Sequence, residues 1–173
     1  MVEVFISRIG FDASSETFVV MLKEKTGERV LAIWIGRNEA ESIVMRIHKI
    51  KHPRPLTHDL CRNIIDGLGA TLKQVHITHV ENSTFFAELH VEMNGVTKVI
   101  DARPSDSIAV ALRMEAPIFT AEDLLSDPDA ESEDDESITA PDRKSGEGSR
   151  LSADELKAYL EKLRPEDFGD FKP

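Results

Sequence analysis

The chain has 173 residues, 40% hydrophobic and 31% charged, a size and mix that fit one folded domain with a solvated appendage. No apolar run reaches the roughly 20 residues that a membrane helix requires, and the first residues lack the basic and then apolar pattern of a secretory leader. One cysteine, Cys61, excludes an internal disulfide framework and a cysteine-rich zinc site, so a reducing, cytoplasmic setting is expected. The net charge of −11 is unevenly placed: residues 1–120 carry 14 basic and 15 acidic side chains, and residues 121–173 carry 7 and 17. The expected domain is near neutral, so overall acidity does not exclude a polyanionic partner.

Residues 2–11, 17–22 and 29–35 are predicted strands, the last two joined by a polar turn in which Gly27 offers a positive φ. After Gly36 the period changes. Ala40, Ile43, Val44 and Ile47 fall at i, i+3, i+4 and i+7, one apolar face of a helix. A loop over 48–55 follows, with two prolines. Thr57 is expected to cap a second helix over 58–68, with Leu60, Ile64, Ile65 and Leu68 buried and Gly67 and Gly69 ending it. Residues 72–80 read as a strand. In the next strand Phe85, Ala87, Leu89, Val91 and Met93 alternate with Phe86, Glu88, His90 and Glu92. Asn94-Gly95 then turns the chain into a strand over 96–101. Pro104 opens a helix over 105–114, apolar almost all round at 108–112, which predicts deep burial or packing on a second subunit.

These elements define an α+β domain over residues 1–125, with a mixed or antiparallel sheet. Both halves run strand, strand, strand, helix, and Ser42-Ile43 matches Ser107-Ile108 at a separation of 65 residues, as a duplicated β-β-β-α unit would give. The tail differs. Residues 122–136 hold nine acids and no base, and 142–150 are rich in Ser and Gly, so a disordered acidic linker is expected over 126–150. Ser152 and Glu155 have capping-box spacing ahead of Leu156, Tyr159, Leu160 and Leu163, which predicts a short amphipathic helix within 151–173. The acidic run can compete with polyanions for the basic segment described next.

Three segments carry candidate chemistry. Between Arg46 and Arg62 lie Lys49, Lys51 and Arg54 with His48, His52 and His58, against one acid, Asp59. Such a patch suits phosphate, or is simply a solvated loop. In Arg54-Pro55-Leu56-Thr57-His58-Asp59, a His and an Asp at a helix start can activate water; the structural alternative is a cap and a dipole partner. In Asp101-Ala102-Arg103-Pro104-Ser105-Asp106, Asp101 and Asp106 can share a divalent cation such as Mg²⁺ or Mn²⁺ while Arg103 holds a phosphoryl group; the alternative is an Arg–Asp pair. The junction before the helix, with Ser105, can receive a phosphate on backbone N–H groups. His76 and His90 are expected to point to solvent, Trp34 is expected in the core, and Cys61 is expected to be a small buried residue.

Several of these motifs occur together in one order: Ala32-Ile33-Trp34-Ile35-Gly36, Glu39-Ala40, Arg54 to Leu60, Phe85-Phe86-Ala87, and Asp101 to Ala109. In that order they resemble the bifunctional nuclease domain family of bacteria and plants, over about residues 1–125. The resemblance implies a self-associating α+β domain and a nuclease activity on RNA and DNA, ascribed to plant members. It brings no agreed catalytic set. Glu39, Arg54, His58, Asp59, Asp101, Arg103, Ser105 and Asp106 match the family pattern. The expectation is a nuclease in which His58, Asp59, Asp101 and Asp106 are catalytic, Asp101 and Asp106 hold the cation, and Arg54, Arg103 and Ser105 bind phosphate. The alternative is a non-catalytic oligomeric module that binds a nucleic acid or a protein.

Overall fold

The alternating apolar residues of the first segment make β1 (Val2–Asp12), β2 (Thr17–Glu24) and β3 (Val30–Ile35), joined as an antiparallel meander. Helices α1 (Arg37–Ile47) and α2 (Thr57–Gly67) follow, then a second meander of β4 (Thr71–Glu81), β5 (Thr84–Met93) and β6 (Val96–Ala102). Helix α3 (Pro104–Met114) and a short β7 (Ile118–Thr120) complete the domain, ahead of a 3-10 turn at Glu122–Leu124. This computed structural model describes residues 1–12 and 17–128. The rest of the linker expected over 126–150, and the helix within 151–173, lie outside the described residues.

Among the described residues the strands form one sheet, ordered β3-β2-β1-β7-β4-β5-β6. β7 is central, antiparallel to β1 and parallel to β4. The two meanders thus flank β7 in opposite directions, the arrangement that a two-fold axis normal to the sheet would produce. The repeated strand-strand-strand-helix order is therefore visible in the fold. β7 escapes the sequence reading because three residues are too few to show a period.

The helices lie on one face of the sheet: α1 packs on β2, α3 packs on β4 and β5, and α3 stands between α1 and α2. That face supplies the core. Val20, Leu22, Val75, Ile77, Ala87 and Ile108 are fully buried or nearly so. Enclosing a side chain such as Ile108 contributes about 1.5–3 kcal/mol. α3 is the most enclosed helix, as its apolar sequence predicts, and its neighbours are α1, α2 and the sheet of the same chain.

Five local expectations are corrected. On α2 only Ile65 and Cys61 pack against the core; Leu60, Ile64 and Leu68 are more than half exposed, because α3 occupies the centre of the helical layer and α2 is left at its margin. Thr57 is the first residue of α2 rather than its cap. Leu56 is the cap residue, and Asp59 reaches back to accept its backbone N–H at 3.0 Å. Trp34 projects from the uncovered sheet face and is 59% exposed, since its neighbours Ile33 and Ile35 take the core side. Gly27 does not take a positive φ; Gly69, just after α2, and Gly95, in the β5–β6 turn, do. His76 and His90 also differ from expectation, being half-buried on the uncovered face.

Candidate functional site: a three-helix cluster beside a basic cavity

Three helices each contribute a polar residue to one chain of hydrogen bonds. His58 Nε2–H, in the first turn of α2, donates to Asp106 Oδ1 of α3 at 3.0 Å. The other ring nitrogen, Nδ1, accepts from the Ser42 hydroxyl of α1 at 2.8 Å. The Asp106 carboxylate, an acceptor only, places a proton on Nε2, and in the neutral ring Nδ1 is then the acceptor. Arg103, just before α3, donates to Asp106 through both arms of its fork, at 2.7 and 3.0 Å, and also reaches Glu39 at 3.1 Å. Gly36 makes room for that glutamate: a Cβ there would lie 2.5 Å from a Glu39 carboxylate oxygen.

Burial works to raise the Asp106 pKa, but hydrogen bonds from Arg103 and His58 prevail and hold it below the ordinary carboxylate range. The hydrogen bond to Asp106 raises Arg103 in return. The Arg–Asp pair foreseen as the structural alternative is therefore present, yet it also orients a histidine. Ser42 is 8% exposed, so its hydroxyl is sheltered beneath the cluster.

A second link lies alongside. Arg113 of α3, 6% exposed, donates to Asp59 Oδ1 at 2.6 Å and to the carbonyls of Ala109 and Ser42 at 2.9 and 3.3 Å. Burial opposes ionisation of Asp59, but the hydrogen bonds from Arg113 and the Leu56 N–H lower its pKa overall. The segments containing residues 54–59 and 101–106 are thus brought side by side.

Next to Asp59 opens a cavity of about 250 Å³ lined by Arg46, Lys49, Lys51, His52, Arg62 and Arg113, with Asp59 as the single acid in its wall. The turn after α1 builds it. Lys49 takes φ of 54°, and the Ile50 N–H returns to the Met45 carbonyl at 2.9 Å, so the chain reverses and aims successive cations inward. Arg46 is anchored to the Leu112 carbonyl at 2.9 Å. Lys49 and Lys51 form no ion pair among the described residues, so their charge faces the opening unneutralised.

The other candidates fall as follows. Arg54 is exposed in the loop before α2. Ser105 is 7% exposed in the first turn of α3, so its side chain is part of the packing. Asp101 does not join Asp106. It pairs in register with Glu88, while its neighbours Ile100 and Ala102 pair with the core-facing Leu89 and Ala87, so Asp101 leaves the sheet on the face without helices. Both oxygens of Asp106 are already taken. The two carboxylates do not form a shared site for Mg²⁺ or Mn²⁺ in this fold. Ser42 and Arg113 are functional candidates that the sequence reading passed over. Arg113 had a signal: it follows Asp106 by seven residues, on the same side of the helix and just past the apolar run at 108–112.

The fold and its site define an α+β domain with a cation-lined cavity beside a hydrogen-bonded Ser–His–Asp cluster. The chain belongs to the bifunctional nuclease domain family, whose model matches residues 20–133. It is similar to an uncharacterized protein of Mycobacterium tuberculosis, 37% identical over 173 residues, covering 97% of this chain and 98% of that protein. More distant relatives are bifunctional nuclease 1 of Oryza sativa subsp. japonica, 23% identical over 110 residues, and bifunctional nuclease 2 of Arabidopsis thaliana, 25% identical over 109 residues. Each plant match takes in 33% of the plant protein and 62% or 61% of this chain. No helix among the described residues is long and apolar enough to cross a membrane.

Proposed function

We propose that this chain is a nuclease that hydrolyses phosphodiester bonds in RNA and DNA, and that the basic cavity receives the backbone phosphate. The convergence of Lys49, Lys51, His52 and Arg62 on one opening, in a domain of nearly balanced charge, is the observation that carries this reading. Arg54 extends the positive surface along the same loop, and Arg103 offers a second fork for phosphate when it exchanges Glu39 for substrate. His58 is the proton acceptor. With Nε2–H held by Asp106, Nδ1 is the basic atom, and in the resting state Ser42 occupies it. Asp59, kept ionised, orients Arg113 at the cavity wall. A cytoplasmic setting suits the lone thiol of Cys61.

The test uses the full chain with labelled single-stranded RNA and DNA, in Mg²⁺, Mn²⁺, Zn²⁺ and chelator. A triple variant, Lys49→Ala, Lys51→Ala and Arg62→Gln, removes three exposed cations. The expected result is weaker binding by about tenfold or more at low salt, and a log–log salt slope on these single strands shallower by about 2. An unchanged affinity and slope would overturn the cavity assignment. Absence of cleavage by the wild-type chain under every condition would overturn the nuclease reading.

One observation favours the non-catalytic alternative: every polar group of His58 and Asp106 already has a partner within the chain, as a purely structural clasp would show. Self-association is part of either reading. Leu56, Leu60, Ile64 and Leu68 form an exposed apolar stripe along α2, which a second copy can cover. Sedimentation of the full chain is expected to show an oligomer that Leu60→Glu with Ile64→Glu converts to monomer. A wild-type chain that sediments as a monomer at about 100 μM, or a variant of unchanged size, would remove this interface.

A further inference from the structure

The sheet face away from the helices holds a second group of side chains capable of chemistry. His76 on β4 stands directly opposite Glu88 on β5, and His90 follows Glu88 by two residues, so all three project from one face. Their donor atoms all lie within 4.8 Å of one another. The two imidazole centroids are 4.1 Å apart, and Phe119 of β7 closes one side of His76 edge-on at 5.6 Å. His90 Nε2 is buried without a hydrogen-bond partner. Glu88 Oε2 lies 3.3 Å away, near enough for an ion pair, but its direction is wrong for a hydrogen bond. A buried ring nitrogen left unpaired costs free energy that an external ligand can recover.

We infer that His76, Glu88 and His90 form a binding site for a divalent cation of the zinc class. Two imidazoles and one carboxylate are the donors that borderline-soft ions take, unlike the all-oxygen shell of Mg²⁺. Tetrahedral bonds of about 2.0–2.1 Å place donor atoms about 3.3 Å apart. Side-chain torsions on two fixed strands close the present spread to that value. Three protein donors leave a fourth position for water or an anion. Asp101 stands opposite Glu88 on β6 and shares this face. The site lies across the sheet from the basic cavity, so it stands independently of the nuclease reading.

The experiment titrates the metal-stripped full chain with zinc chloride against a chromophoric chelator, and separately with cobalt chloride. The expected result is one zinc per chain with a Kd of micromolar or tighter, and a visible cobalt spectrum of tetrahedral type. Glu88→Gln and His90→Ala each weaken zinc binding at least about tenfold. His79→Ala, which alters a histidine of the same strand outside the group, leaves it unchanged. Where His90→Ala does not fold, Glu88→Gln decides, since Glu88 is partly exposed. Wild-type binding weaker than micromolar, or binding unaffected by Glu88→Gln, overturns the site. Loss of RNA or DNA cleavage with intact zinc binding counts against the nuclease reading alone.

Discussion

His58→Gln is expected to lower the rate of RNA and DNA cleavage by about 10²- to 10⁴-fold, the range by which a positioned acid–base group accelerates proton transfer. The glutamine keeps one donor for Asp106 but cannot accept a proton at neutral pH. Its melting temperature is expected to stay near that of the wild type, because the Arg103–Asp106 fork remains. Ser42→Ala gives the companion result: freeing Nδ1 leaves the base in place, so cleavage survives if water takes the serine's position. The measurement is single-turnover cleavage beside thermal unfolding and sedimentation. Full activity in His58→Gln would remove His58 from the chemistry. A loss of activity that merely tracks a loss of stability would favour the structural clasp.

Asp59→Asn produces the largest loss of stability. Arg113 keeps its charge, with a side chain only 4% exposed, and loses the carboxylate that compensates it. Stranding a buried cation costs about 3–5 kcal/mol; the partial exposure of Asp59 puts the expected value near 3. That corresponds to a fall of about 10 °C in Tm. Adding Arg113→Met removes the stranded charge and is expected to restore part of the loss. A change under about 2 °C for Asp59→Asn alone would show that Arg113 is compensated elsewhere.

The acid limb of the stability curve follows from the same groups. Asp59 and Asp106 are both held below their ordinary pKa in the folded chain. A carboxylate lowered on folding stabilises the native state at pH above its unfolded value, near 3.9, and that contribution disappears as pH falls through the folded pKa. Stability is therefore expected to drop from about pH 4 downward, and Asp106→Asn is expected to flatten that limb.

Several features of the fold were legible because they rest on local chemistry. The period-2 alternation from Phe85 to Met93 specifies a strand with one buried face, and Asn94-Gly95 supplies the two positive φ angles its hairpin needs. The wholly apolar run at 108–112 specifies a central helix. What misled was equally local. Leu60, Ile64 and Leu68 have core-like chemistry, and only the position of α3 decides that they face outward. Trp34 is apolar enough for the core, yet strand parity sends it to the other face.

The site divides along the same line. Composition alone marked the cations from Arg46 to Arg62 and the ionic residues of the two motifs, since residue type and spacing along the chain are sequence properties. Sequence by itself also determined the α+β class, the repeated strand-strand-strand-helix order and the placing of excess negative charge in the tail. Only tertiary structure decided which ionic groups meet. The register of β5 with β6 sends Asp101 to one face of the sheet, the turn before α3 sends Asp106 to the other, and helix packing brings Ser42 of α1 and His58 of α2 to it. Partnerships of that kind depend on strand parity and helix placement, which are set by burying apolar surface over the whole domain and not by the neighbours of any one residue.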